Sequence, residues 1–181
     1  MKFGRRFLQN KKILIAGIQG SGKTYLARQL AKTMLTMVYT PHWGEWLNDK
    51  VVLIKTDDFV ANFPLWCQIF KTSKCEMLVV DEADLLFTRH WETNNAVRDL
   101  VINHRHYGKS LVFVTRRPQD IPANLYGTFE ILCLFSIESP QVIDLLNRYY
   151  AGLGDMVKNL PYGLHQFVFK QIGSEPKVMM A

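Results

Sequence analysis

Short apolar blocks alternate with longer amphipathic stretches along the chain. Residues 12–16, 36–39, 51–55, 77–80, 110–115, 131–135 and 165–170 are runs of strand length with apolar or β-branched centres. Over 23–35, Leu26, Leu30 and Met34 recur with Ala27 and Ala31 at helical spacing, which predicts one long helix. A second helix is predicted over 91–104. A third begins where Ser139 precedes Pro140, a start signal, and runs to about Tyr150. Asp57 or Asp58 would cap a further helix reaching toward Phe70, with Pro64 as a break. Apolar strands separated by helical stretches predict an α/β fold with a mainly parallel sheet. No repeat, low-complexity segment or linker interrupts the pattern. The expected organisation is a basic N-terminal arm (1–11), one domain (12–172) and a flexible C-terminal tail (173–181).

Three segments carry chemistry. Gly17-Ile-Gln-Gly-Ser-Gly-Lys-Thr24 fits G-x-x-x-x-G-K-[ST], and it follows a predicted strand and opens a predicted helix. Glycines let such a loop curl its N–H groups toward phosphate oxygens, and the helix N-terminus adds positive potential. Gly17, Ile18, Gln19, Gly20, Ser21, Gly22, Lys23, Thr24 and Tyr25 are therefore the expected nucleotide-contacting residues. Lys23 would reach the β- and γ-phosphates of ATP, and the Thr24 hydroxyl would ligate Mg2+.

Met77-Leu-Val-Val-Asp-Glu-Ala-Asp84 is an apolar strand that delivers Asp81 at its C-terminal end. Asp81 would hold Mg2+ through water, and Glu82 would polarise the attacking water. Small-metabolite kinases usually lack this second acid, so Glu82 favours a hydrolytic motor or switch. Leu111-Val-Phe-Val-Thr-Arg-Arg-Pro118 is the third segment. A strand between those of the P-loop and of Asp81 would bring Thr115 to the γ-phosphate as a sensor. Arg116 or Arg117 would contact phosphate or a neighbouring subunit. Arg98 and Arg105 follow Glu82 in sequence, and either would complete a neighbour's site, because phosphoryl transfer builds charge that a cation stabilises.

Composition adds a partner class and removes others. The formal net charge is +6 and the pI about 9.3, which favours a polyanion. The arm, with Lys2, Arg5, Arg6 and Lys11, would touch DNA or a neighbour, or be a solvated terminus; the 71–74 lysines are pore candidates or solvated side chains. Cys67, Cys75 and Cys133 are an odd number without C-x-x-C spacing, and read as free buried thiols. His104 and His106 read as exposed rather than metal-binding. No apolar run reaches the roughly 18–20 residues of a membrane span, so a cytoplasmic protein, of a cell or of a virus in its host, is expected.

Taken together the three segments resemble the FtsK/HerA superfamily of DNA-translocating ATPases. Further segments fit: Tyr39-Thr-Pro-His-Trp-Gly-Glu-Trp46 resembles its D-x-x-G-E-[YF] segment with Glu45 at the glutamate. Arg105-His-Tyr-Gly108 resembles its R-x-x-G turn, Thr115-Arg-Arg-Pro118 its T-Q-R-P, and Asn159-Leu-Pro-Tyr-Gly163 its L-x-x-G turn. Two positions depart: Arg116 stands at the sensor glutamine and Thr40 at the aspartate. The resemblance implies a three-layer P-loop NTPase of additional-strand, RecA-like type. It also implies a homo-oligomeric ring, pentamer or hexamer, acting on double-stranded DNA. The chain's small size is similar to viral genome-packaging ATPases, which implies a capsid or portal partner. Rival readings are an assembly or secretion ATPase like those of filamentous phages, a cellular DNA translocase, and a non-motor nucleotide switch or kinase.

Overall fold

The computed structural model describes residues 3–87 and 91–181; Lys2 of the arm lies outside them. The described residues form an eight-stranded sheet: β1 (Lys12–Ala16), β2 (Thr36–Tyr39), β3 (Val52–Ile54), β4 (Met77–Val80), β5 (Ser110–Thr115), β6 (Ile131–Leu134), β7 (Gln166–Gln171) and β8 (Lys177–Met180). Their order is β3-β2-β4-β5-β1-β6-β7-β8. The strands from β3 to β6 run parallel, whereas β7 and β8 are antiparallel additions. The expected mainly parallel sheet is therefore present, and β5 lies between β1 and β4 as the third motif requires.

Alternation along the buried strands splits the core into two layers. Leu14 and Ala16 of β1 face one layer, Ile13 and Ile15 the other. The first is filled from α3 (Phe63–Thr72), α4 (Asn95–Asn103), α5 (Ala123–Tyr126), α6 (Pro140–Tyr149) and α7 (Leu153–Lys158). The second is covered by α1 (Arg5–Leu8) through Leu8 and by α2 (Lys23–Ala31) through Leu26, Ala27, Leu30 and Ala31. Each large apolar side chain so buried contributes about 1.5–3 kcal/mol.

Several boundaries differ from the sequence expectation for identifiable reasons. The helix expected over 23–35 stops at Ala31, whose carbonyl accepts the Thr36 hydroxyl at 2.9 Å, so the chain turns early into β2. Asp58 does not cap α3; its Oδ1 accepts the N–H groups of Val60 and Ala61 in a local turn. Pro64 starts α3 instead of breaking it, since the first helical turn needs no N–H donor. The stretch over 91–104 is divided: a short 3-10 turn (Trp91–Thr93) precedes α4, whose true cap is Asn94, accepting from Ala96 and Val97 N–H. The segment expected to be a loose tail forms β8 on β7, pairing Met180 with Gln166 and Lys177 with Phe169. The arm is likewise ordered where described: Phe3 and Phe7 pack on Phe169 of β7. His104 is buried, not exposed, while His106 is exposed. Cys67, Cys75 and Cys133 are buried free thiols.

The α6–α7 hairpin supports the loop that leads into β7, and it depends on one close approach. A Cβ on Gly154 would stand 2.3 Å from the Ile143 carbonyl oxygen and 2.9 Å from Asn147 Oδ1, which accepts the Gly154 N–H at 2.7 Å. Backbone cannot yield as a flexible side chain does. Gly154→Ala is expected to cost about 2–3 kcal/mol, read as a lowered urea midpoint with an unchanged slope. A midpoint within error of the parent would show that the hairpin shifts freely.

Candidate nucleotide site

The C-terminal ends of β1, β4 and β5 converge, which is where open α/β sheets bind ligands. β1 runs into the glycine loop, β4 ends at Asp81 and β5 ends before Arg116. The loop's geometry demands glycine. Gly20 and Gly22 have φ of 74° and 104°, and a Cβ on Gly17 would stand 2.6 Å from Phe135 Cβ. Backbone bonds clamp the loop to its neighbours: Gly17 N–H donates to the Thr115 carbonyl and Ile18 N–H to the Ser136 carbonyl.

One cavity of about 340 Å3 opens there, lined by Gln19, Gly20, Lys23, Thr24, His42, Glu45, Asp81, Glu82 and Arg116. Lys23 Nζ donates to the Ile18 carbonyl at 2.7 Å, holding the ammonium over the loop. Burial lowers the Lys23 pKa, and Glu82 and Asp81 oppose that shift. Glu82 adopts a left-handed backbone, φ 55°, which is costly for a residue that carries a Cβ and is frequent at active sites. Its carboxylate lies 3.2 Å from Arg116 Nε, without hydrogen-bond alignment, and 3.8 Å from His42 Nε2. Asp81 is buried; desolvation first, then the Glu82 charge, push its carboxyl up to about 6. Glu45 adds to that push. A buried acid raised by neighbouring acids is a good seat for a divalent cation, and Thr24 supplies a hydroxyl in the same cavity.

The structure thus brings together Gln19, Gly20, Lys23, Thr24, Asp81, Glu82 and Arg116. Gly17, Ile18, Ser21 and Gly22 shape the loop beneath. Tyr25 is exposed on the first turn of α2 and lines a different cleft, with Phe3 and Met180. Thr115 departs from its expected role. It is buried, and its hydroxyl donates to Asp84 Oδ1 at 2.7 Å while accepting the Arg117 N–H at 3.0 Å. Its side chain points into the layer of α3–α7, so of the two sensor candidates Arg116 faces the cavity. Arg98 and Arg105 are absent from the cavity. Arg105 pairs with Glu130, whose other oxygen accepts the Lys12 N–H at 2.6 Å, at the opposite end of β1. Arg98 is exposed on α4, beside Asp99 and Asn103. Lys71 is engaged too, bonded to Asp99 at 2.6 Å. Sequence reasoning missed His42 and Asp84. Asp84 was legible as the last acid of the β4 motif, three residues after Asp81.

The description "Zonular occludens toxin (Zot)" belongs to the family model that matches residues 29–150, more than half of the chain. The chain belongs to the Zot family. A search of curated proteins finds no significant match. Among solved structures, this Zot-family chain is similar to the genome-packaging NTPase B204 of Sulfolobus turreted icosahedral virus 2 bound to ATP-gammaS. There the TM-score is 0.74 at 18% identity, over 93% of this chain and 96% of that one. It is also similar to the N-terminal domain of zonular occludens toxin from Neisseria meningitidis, with TM-score 0.53 and 15% identity over 95% and 94% of the two chains. The cytoplasmic domain of the Type VII secretion ATPase EccC from Thermomonospora curvata gives 0.65 at 14% identity, over 94% of this chain and 25% of that one. At these identities the likeness is one of fold, and it places the Zot-family chain among the P-loop NTPases, as its motifs imply.

Proposed function

We propose that this chain is an ATP-hydrolysing motor of the FtsK/HerA type that translocates double-stranded DNA, in the manner of a viral genome-packaging ATPase. The observation that carries the reading is the single cavity in which the P-loop lysine and threonine, the Asp81–Glu82 pair and Arg116 meet. The glycine-loop N–H groups and Lys23 hold the phosphates. Thr24 and Asp81 would hold Mg2+, which would supply positive charge to offset that of the phosphates. Glu82 orients water and takes its proton. Arg116, 43% exposed and beside Glu82, reports the γ-phosphate in place of a glutamine. Arg98 and Arg105, remote from their own cavity, are the candidates for completing a neighbour's site within a ring of five or six copies. The net charge of +6 supports a phosphate-backbone partner read without base contacts. A capsid or portal protein is the proposed docking partner, and the cytoplasm or the virion the proposed setting.

Membership of the Zot family and the likeness to EccC favour a second reading, an assembly or secretion ATPase. Among the described residues no helix is long and apolar enough to cross a membrane. The steady-state ATPase rate with and without double-stranded DNA, over a salt series, separates the two. The motor reading expects stimulation by DNA and affinity that falls steeply with salt. Equal rates with no salt-dependent binding would remove DNA translocation and leave the assembly reading.

A further inference from the structure

The phosphate end of the cavity points toward β4 and β5, where Asp81, Glu82 and Arg116 sit. A nucleotide with its terminal phosphate there can carry its nucleoside to the opposite side of β1, toward β6 and β7. That side is walled by the 159–165 loop, which descends from α7 into β7.

This loop is fastened to the P-loop. His165 Nδ1 lies 3.2 Å from the Ser21 carbonyl oxygen, and the same nitrogen stands 3.2 Å from where a Gly22 Cβ would be. His165 holds a left-handed φ of 50°, and Gly163 one of 81°. The Ala181 N–H donates to the His165 carbonyl from the other side. Two residues of this loop accept that backbone, and the turn so made presents Tyr162. The Tyr162 phenol oxygen is 3.8 Å from the Cβ position of Gly20, the nearest atom to that glycine's open side. Yet Tyr162 is 71% exposed. Phe135, another aromatic ring beside the loop, is wholly buried beneath Gly22, and Tyr25, exposed on the first turn of α2, lines the separate cleft with Phe3 and Met180. The turn that carries Tyr162 is anchored to the P-loop through His165, while its ring stays outside the buried core.

We infer that Tyr162 is the stacking platform for the base of the bound nucleoside triphosphate, and that His165 is a positioning residue that fixes this platform to the P-loop. The inference rests on the nucleotide-binding part of the proposed function and extends it to the nucleoside end. Stacking uses a ring face that every base presents, so the platform selects by ring area, favouring purines over pyrimidines.

Equilibrium binding of ATP and of inorganic tripolyphosphate, with Mg2+ present, to the full chain and its variants tests this. Tyr162→Ala is expected to weaken ATP about tenfold or more and to leave tripolyphosphate unchanged. Tyr162→Phe, which keeps the ring, is expected to bind ATP like the parent. Lys23→Ala is expected to weaken both ligands alike, so a failure of the phosphate site itself is seen separately. Unchanged ATP affinity in Tyr162→Ala would overturn the platform. Equal loss of ATP and tripolyphosphate in Tyr162→Ala would overturn it too, because the loop would then act by shaping the P-loop.

Discussion

Glu82→Gln is expected to lower the ATP turnover rate by about 10^2–10^4 while ATP still binds. Glutamine has nearly the same shape and keeps the side-chain volume between Arg116 and His42, which approach Glu82 to 3.2 and 3.8 Å. It cannot accept a proton from water. The left-handed backbone at Glu82 is a property of the turn after β4 and costs glutamine no more than glutamate. Affinity for ATP should be unchanged or tighter, since one negative charge beside the terminal phosphate is gone. Single-turnover hydrolysis together with equilibrium ATP binding measures both halves. Turnover within threefold of the parent would remove Glu82 as the base. Loss of binding in step with turnover would make its role that of a structural support.

The second large effect concerns Asp81, and it has opposite signs in the empty and the loaded protein. In the fold the carboxyl is raised from 3.8 to about 6, mainly by desolvation and then by Glu82. A raised acid favours the folded state when protonated. Its stabilising contribution is complete below the unfolded value of 3.8 and is lost as pH rises through about 6. At pH 7.5 the ligand-free protein therefore carries a buried, ionised Asp81 at a cost of about 3 kcal/mol. Asp81→Asn removes that charge and keeps an oxygen to accept the Glu82 N–H, now bonded to Asp81 Oδ1 at 3.1 Å. Ligand-free Asp81→Asn should be more stable than the parent at pH 7.5 by up to that amount. The advantage should shrink as pH falls from about 6 toward 3.8. With Mg2+ and ATP present the order should invert, because the variant no longer offers the cation a carboxylate. Urea unfolding at several pH values, with and without Mg-ATP, tests both signs. A variant less stable than the parent without ligand would show that Asp81 is held by favourable contacts, not poised for a cation.

The legible parts of this protein are those whose information is local. Apolar runs of strand length name β1, β4, β5 and β6 almost to the residue, because a strand buried on both faces carries polar residues only at its ends. The glycine loop and the Asp81–Glu82 pair are read from adjacent residues, because phosphate and cation binding require particular groups at fixed backbone spacing. Boundaries were harder. Whether α2 continues past Ala31 is decided by a hydroxyl arriving at a carbonyl five residues away, a competition that helical periodicity does not register. The edge strand β8 was missed because its side chains are mostly exposed and its stability comes from β7.

The amino-acid sequence by itself determined the fold class, the glycine loop, the carboxylate pair and, through the ordered motifs, the superfamily it resembles. Tertiary structure alone decided which side chains meet. It commits the Thr115 hydroxyl to Asp84, 31 residues earlier, and so leaves Arg116 to face the cavity. It carries Arg105 to Glu130 at the far end of β1 and buries His104 beside that pair's strand start. It sets His165 against Ser21 across 144 residues of chain, and with it Tyr162 at the edge of the glycine loop. The physical reason is common to all of these. A hydroxyl, a guanidinium or an imidazole takes whichever partner the packed sheet brings within about 3 Å, and strand order, unlike strand identity, is set by packing contacts remote in sequence.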